Sequence, residues 1–114
     1  MRPWLESGRG LPQRAVAVRV SLSEQALGDL EQATEWYLGQ QALAAADDLV
    51  AEFEDALGLL QKFPGLGVEG RQHTHVFTLA KFPFSLVYRV LPDCVRIIAV
   101  AHHSRRPGYW AGRR

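Results

Sequence analysis

Cysteine is nearly absent: Cys94 stands alone in a chain of 114 residues. A lone thiol cannot close an intrachain disulfide, which fits a reducing cytoplasm and leaves the fold to its own core. At this length the chain can bury such a core, and a composition of 47% hydrophobic and 22% charged residues reads as globular. Long apolar runs are also missing. None approaches the ~18 residues of a membrane span, so no membrane partner is expected. Residues 1–14 hold Arg, Gly and Pro but lack the apolar stretch of a signal peptide. They read as a flexible extension ahead of a single domain over residues 15–114. No glycine-rich phosphate loop is present, since Gly65-Leu66-Gly67 reads as a helix stop. No internal repeat or low-complexity segment interrupts the chain.

Acidic residues are missing from one region in particular. Residues 1–70 carry five Lys and Arg against eleven Asp and Glu, a net −6, whereas residues 71–114 carry eight against Asp93 alone, a net +7. The near-neutral total thus hides an acidic first part and a basic second part. Either the two neutralise each other within the fold, or the basic part draws an anion such as nucleic acid or an acidic protein segment.

Residues 15–22 alternate, with Val16, Val18, Val20 and Leu22 on one face, as in a strand with one buried side. Ser23 then offers an N-cap followed by Glu24. Ala26, Leu27, Leu30, Ala33, Tyr37 and Leu38 recur at helical spacing up to a stop at Gly39. A longer amphipathic helix follows, with Leu43, Ala46, Val50, Phe53, Leu57 and Leu60 on its stripe, widened by Leu49 and Ala56. Pro64-Gly65-Leu66-Gly67 ends it. Three strands are expected over residues 72–80, 84–91 and 94–102, punctuated by Pro83 and Pro92-Asp93. The fold class is therefore α+β in the order β-α-α-β-β-β, a helix hairpin packed on a small sheet.

A loop symmetric about Pro92-Asp93 would pair Phe84 with Ala101, Leu86 with Ala99, Tyr88 with Ile97 and Val90 with Val95. Every member is apolar or aromatic, which marks the face covered by the helices. The other face would pair Ser85 with Val100, Val87 with Ile98, Leu91 with Cys94, and Arg89 with Arg96. Two opposed arginines repel unless solvated, flanked by acids or met by an anionic partner. A half-apolar, half-cationic face suits a docking surface.

The stretch after the last strand, residues 101–113, collects imidazole, guanidinium and aromatic groups of the kind that bind phosphate and stack on bases. With the sheet arginines it supplies the candidates Arg71, Arg89, Arg96, His103, Arg105, Arg106, Tyr109 and Trp110. In a metal-independent ribonuclease, His103 or Tyr109 would exchange protons while arginines stabilise the phosphorane charge. In a binder, the same arginines would contact phosphate or carboxylate with Trp110 as an anchor. Trp110 reads equally as core, covering the sheet edge. His73-Thr74-His75 places two imidazoles on one strand face, and His102-His103 could complete a site, but no acidic or Cys cluster is nearby to fix a ligand set, so neither metal nor cofactor is expected. Cys94 has no base paired with it and is not expected to be a nucleophile.

These pieces in this order resemble the RelE/ParE superfamily of toxins from bacterial type II toxin–antitoxin systems, over about residues 16–113. The resemblance is carried by Val18-Arg19-Val20-Ser21-Leu22-Ser23 before a helix with Ala26 and Asp29-Leu30, and by residues 44–60 with Phe63-Pro64 and Gly67. It continues through Phe82-Pro83-Phe84-Ser85-Leu86-Val87-Tyr88-Arg89-Val90 and Ile97-Ile98-Ala99-Val100-Ala101-His102, then Arg105-Arg106-Pro107 and Trp110. It implies a helix hairpin on a mainly antiparallel sheet and a cytoplasmic toxin in a hetero-oligomer with its antitoxin. Two activities occur among such toxins. RelE-like members cleave mRNA on the ribosome, and for that activity the resemblance implies catalytic roles for His103, Arg105, Tyr109 and Arg89. ParE-like members bind DNA gyrase and are not nucleases; contacts through Arg71, Arg89, Arg96, Arg105, Arg106 and Trp110 to target or antitoxin would then be expected. The segment from Phe82 to Tyr88 looks ParE-like. Ser85 stands where RelE-type nucleases tend to carry an arginine, and Lys81 is the only lysine after Lys62, so the lysine cluster of those nucleases is missing. The ParE-like branch is the favoured reading, with a non-toxic binding domain of the same fold as a further alternative.

Overall fold

The computed structural model describes residues 19–114. The expected extension over 1–14 and the first half of the expected leading strand lie outside the described residues. The elements are β1 (Arg19–Leu22), α1 (Glu24–Gly39), α2 (Leu43–Lys62), β2 (Val68–Glu69), a 3-10 turn at Arg71–His73, β3 (His75–Thr78), β4 (Phe84–Val90) and β5 (Cys94–His102). They form two helices on a five-stranded sheet in the order β1-β5-β4-β3-β2. β1 runs parallel to β5 and the other pairings are antiparallel. The α+β class and the helix hairpin are as the pattern predicts.

Ser23 caps α1 by accepting from the Ala26 amide at 3.0 Å, and its own amide donates to the Ile97 carbonyl at 2.9 Å. The cap therefore also ties the helix start to β5. Reversal between the helices falls at Gln41, which takes the left-handed φ of 58°, rather than at Gly39, the last residue of α1. Ala26, Ala33, Leu49, Phe53, Leu57 and Leu60 form the helical side of one continuous core with Phe84, Leu86, Tyr88, Val95, Ile97 and Val100. Leu43, expected on the stripe, is exposed at the hairpin tip.

Tyr88 fastens the end of α2 to the sheet. Its hydroxyl donates to the Pro64 carbonyl at 2.8 Å and accepts from the Gly67 amide at 2.8 Å. Gly67 is obligatory here, because a Cβ would lie 2.8 Å from that hydroxyl and 2.9 Å from the Val76 carbonyl.

The β4–β5 register departs from expectation midway. Val90–Val95, Arg89–Arg96 and Tyr88–Ile97 pair as predicted, but a bulge between Val87 and Tyr88 then shifts the ladder by one residue. Leu86 consequently faces Val100, Val87 faces Ala99 and Ser85 faces Ala101. One extra residue on β5 moves Val100 to the helix-covered face and leaves both Ile98 and Ala99 on the other. Residues 72–80 are also not one strand. Gln72 and His73 take left-handed φ values of 56° and 61°, so His73 and His75 do not share a strand face. His75 instead stacks on the Tyr88 ring at 5.3 Å.

Candidate functional site

The sheet face away from the helices is closed by the chain's own C-terminus. Trp110, 8% exposed, packs with Val87, Ile98 and Ala99, flanked by Val76, Ala101 and Tyr109. The segment that delivers it is a series of tight turns: Arg105 N–H donates to His102 O, Tyr109 to Arg106, Ala111 to Gly108 and Arg113 to Trp110. Gly108 sits at φ 76°, a conformation that disfavours other residues.

A half-buried carboxylate anchors this segment. Asp29, on α1, accepts from the Val100 amide at 3.0 Å, the Tyr109 hydroxyl at 3.3 Å and Arg113 at 2.6 Å. The Arg113 and Asp29 side chains are 17% and 10% exposed, so their ion pair is well shielded from solvent. Arg113 also donates to the Ile98 carbonyl at 3.1 Å, beside the bulge. One carboxylate thus joins α1, the irregular part of β5 and the C-terminal segment. The Tyr109 pKa is raised, first by burial and then by the Asp29 charge, with Arg113 and Arg105 pulling the other way.

The sequence candidates fall into three groups. Arg89 and Arg96 do oppose each other, but they splay apart onto neutral acceptors. Arg96 donates to Ser21 Oγ at 2.9 Å, while Arg89 donates to the carbonyls of Gln72 at 3.2 Å and Arg113 at 2.9 Å. Both have internal bonds that ease the repulsion. Arg71, Arg105 and Arg106 are exposed. Arg105 lies over the Tyr109 ring, 3.9 Å from its centroid. Tyr109 is half-buried and Trp110 is core of the second face. His103 is exposed, and its Nε2 shares a 3.0 Å hydrogen bond with Ser85 Oγ, which in turn meets Thr78 Oγ1 at 3.2 Å.

Asp29 and Arg113 were not among the sequence candidates. The signal for Asp29 lies in its spacing: it stands three residues after Ala26 and four before Ala33, on the flank of the apolar stripe. A carboxylate placed there needs partners.

Of the clefts that border this segment, two meet at His102 and Arg105. The larger, of about 460 Å³, lies between α1 and the ends of β4 and β5, with Trp36, Tyr37, Phe84, His102 and Arg105 in its lining. The smaller, of about 250 Å³, is lined by Ser85, Val87, His103, Arg106 and Tyr109 among others. The smaller cleft offers two arginines and two imidazoles over an apolar floor. Its one phenol, however, donates to Asp29, and of its two imidazoles His103 shares a hydrogen bond with Ser85. Among the described residues no three His, Cys, Asp or Glu side chains cluster as a metal site, and no helix is long and apolar enough to cross a membrane.

A sequence profile of the family described as "ParE toxin of type II toxin-antitoxin system, parDE" matches residues 20–107. Among solved structures, the chain is similar to one described as "Chromosomal ParDE TA system from P. aeruginosa". The TM-score is 0.67 at 19% identity, covering 75% of this chain and 96% of that one. At that identity the likeness speaks for the fold. No curated protein matches the chain.

Proposed function

This chain belongs to the ParE toxin family of type II toxin–antitoxin systems; from that premise we propose that it arrests growth in the cytoplasm by binding an essential target such as DNA gyrase, and that a cognate antitoxin neutralises it. One observation carries the choice of binding over RNA cleavage. The Tyr109 hydroxyl is spent on Asp29, with its pKa raised rather than lowered. A phenol in that state is a poor general base near neutral pH. The arginines support the same reading: Arg89 is held by backbone carbonyls, and Arg105 lies over the Tyr109 ring. Contacts to the target then fall to the exposed cations Arg71, Arg105 and Arg106, with Arg96 at the margin and Trp110 bracing them from below.

His103 beside Ser85 is the observation that favours the second reading, a ribosome-dependent endoribonuclease. Two assays on the purified chain separate them. Gyrase supercoiling should be inhibited while the message stays intact in a translating extract. His103→Ala combined with Tyr109→Phe should leave that inhibition largely in place. Codon-spaced cuts on translated message, lost in the double variant and accompanied by unimpaired gyrase, would establish the nuclease instead.

A further inference from the structure

Ser85 carries a hydroxyl that binding to a target leaves unused. It is 7% exposed near the start of β4 and lines the smaller cleft. Its Oγ lies 3.0 Å from His103 Nε2 and 3.2 Å from Thr78 Oγ1. In the tautomer with the His103 proton on Nδ1, Nε2 accepts from the Ser85 hydroxyl, whose oxygen accepts in turn from Thr78. The backbone holds these partners in place. Thr78 and Ser85 are cross-strand neighbours on β3 and β4. His103 directly follows His102, which pairs with Phe84, and its amide donates to the Pro83 carbonyl at 2.9 Å. Hydroxyl and imidazole thus meet on paired strand ends, at the separation of a nucleophile and its base. His103 is exposed, so a ligand can reach the imidazole. The rest of the cleft suits a small acyl compound. Val76, Val87 and Ala101 line it with apolar surface, Arg105 and Arg106 bring positive charge, and none of the described residues lining it is acidic. Its volume of about 250 Å³ fits a short acyl chain rather than a drug-sized ligand.

We propose that Ser85 and His103 form a nucleophile–base dyad that takes a short acyl group from an activated ester, one with an acidic leaving group. This goes beyond the reading of the chain as a binding toxin and does not depend on it. Ser85 Oγ attacks the carbonyl carbon as its proton passes to His103 Nε2, and the arginines stabilise the oxyanion. The bond from that carbon to the leaving oxygen then breaks. The leaving group departs as an anion, and His103 releases its proton to water. A second water attacks the acyl-serine and gives a proton to His103, which returns it to the departing Ser85 Oγ. Ester and water become acid and alcohol.

The test mixes the purified full chain with 4-nitrophenyl acetate. A burst of 4-nitrophenolate stoichiometric with the chain is expected, then slower turnover. Mass spectrometry after an acid quench should place an acetyl group on Ser85. Ser85→Ala should abolish both burst and adduct. His103→Ala should slow acylation by roughly 100-fold or more. The His103 side chain is exposed, so that variant should keep the parent's thermal unfolding even if Ser85→Ala does not fold. An adduct on an imidazole, or hydrolysis undiminished in Ser85→Ala, would mean that a histidine attacks the ester directly, and the proposal fails. No adduct on Ser85 in the parent chain, or acylation as fast without His103 as with it, would reduce the contact to a structural hydrogen bond and overturn the proposal equally.

Discussion

The two faces of the sheet are closed by different chemistry. Beneath the helices, aliphatic and aromatic side chains from both helices, β4 and β5 interlock in one continuous apolar cluster, with β1 and β3 packed against it. On the opposite face a small cluster around Trp110 is covered by a segment without helix or strand, pinned by Asp29. The first arrangement gains its stability from area removed from water, which is spread over many contacts. The second concentrates it in a few directional bonds, any one of which can be given up. Burying the first face secures the fold, while the second carries the proposed contact residues on a segment held by few bonds. The charge division follows the same line, with the acidic residues mostly on the helices and the basic ones mostly on the sheet and its C-terminal continuation.

If that contrast holds, core truncation should unfold the whole chain. Leu86 is fully buried where β4 meets the helices. Leu86→Ala should cost about 3–4 kcal/mol in denaturant unfolding, with all probes shifting together. Asp29→Ala should cost less, about 2–3 kcal/mol, since Arg113 retains some solvent. Its signature should be local: faster hydrogen exchange at the Val100 amide and earlier tryptic cleavage after Arg105, with helix exchange unchanged. Uniform loosening in the Asp29 variant would erase the distinction between the faces.

Tyr88→Phe tests the joint between α2 and the sheet. Removing one oxygen leaves the Gly67 amide and the Pro64 carbonyl without the partner they share. A loss of about 1–2 kcal/mol is expected in denaturant unfolding, with exchange rising at Gly67. The variant should keep antitoxin and target binding, because nothing in the C-terminal segment depends on that hydroxyl.

The helix-covered face was legible in the sequence because its spacing is redundant. Ser23 announces α1, the stripe from Ala46 to Leu60 repeats often enough to fix its period, and Pro64 ends it. The bulge in β5 was not legible. Ile98, Ala99 and Val100 are all apolar, so moving the register by one still pairs apolar with apolar, and the pattern cannot choose. β2 is too short to show alternation, and nothing in Gln72 or His73 signals left-handed backbone. For the candidate site, the Arg105–Tyr109 contact follows from residues four apart in a tight turn. The His103–Ser85 bond depends on the shifted pairing of Phe84 with His102, so the same slip that hid the bulge also hid that contact. Asp29 could be flagged by its position on the stripe, but its partners come from turns that have no periodicity.

The smallest expected effect sets the two faces against each other through one kind of group. Tyr88 on the helix-covered face and Tyr109 on the other both have pKa values raised above 10.0, in each case mainly because burial penalises the phenolate. A raised folded-state value means the folded chain holds its proton where the unfolded chain has lost it. The resulting stabilisation is complete below the unfolded value near 10 and disappears as pH climbs through the folded values. Stability should therefore be insensitive to these groups at neutral pH and decline only above about pH 10. The two tyrosines should part company there. At Tyr109 the Asp29 charge disfavours the ionised form and outweighs each of Arg113 and Arg105, which favour it, so an early step there has to come from the segment around it opening without unmaking the core. Of these two groups, Tyr109 should thus contribute near-ultraviolet phenolate absorbance first, before helical circular dichroism falls. Tyr109→Phe should remove that early step and leave the later, cooperative one in place. A single coincident transition in both proteins would mean that the two faces are one cooperative unit after all.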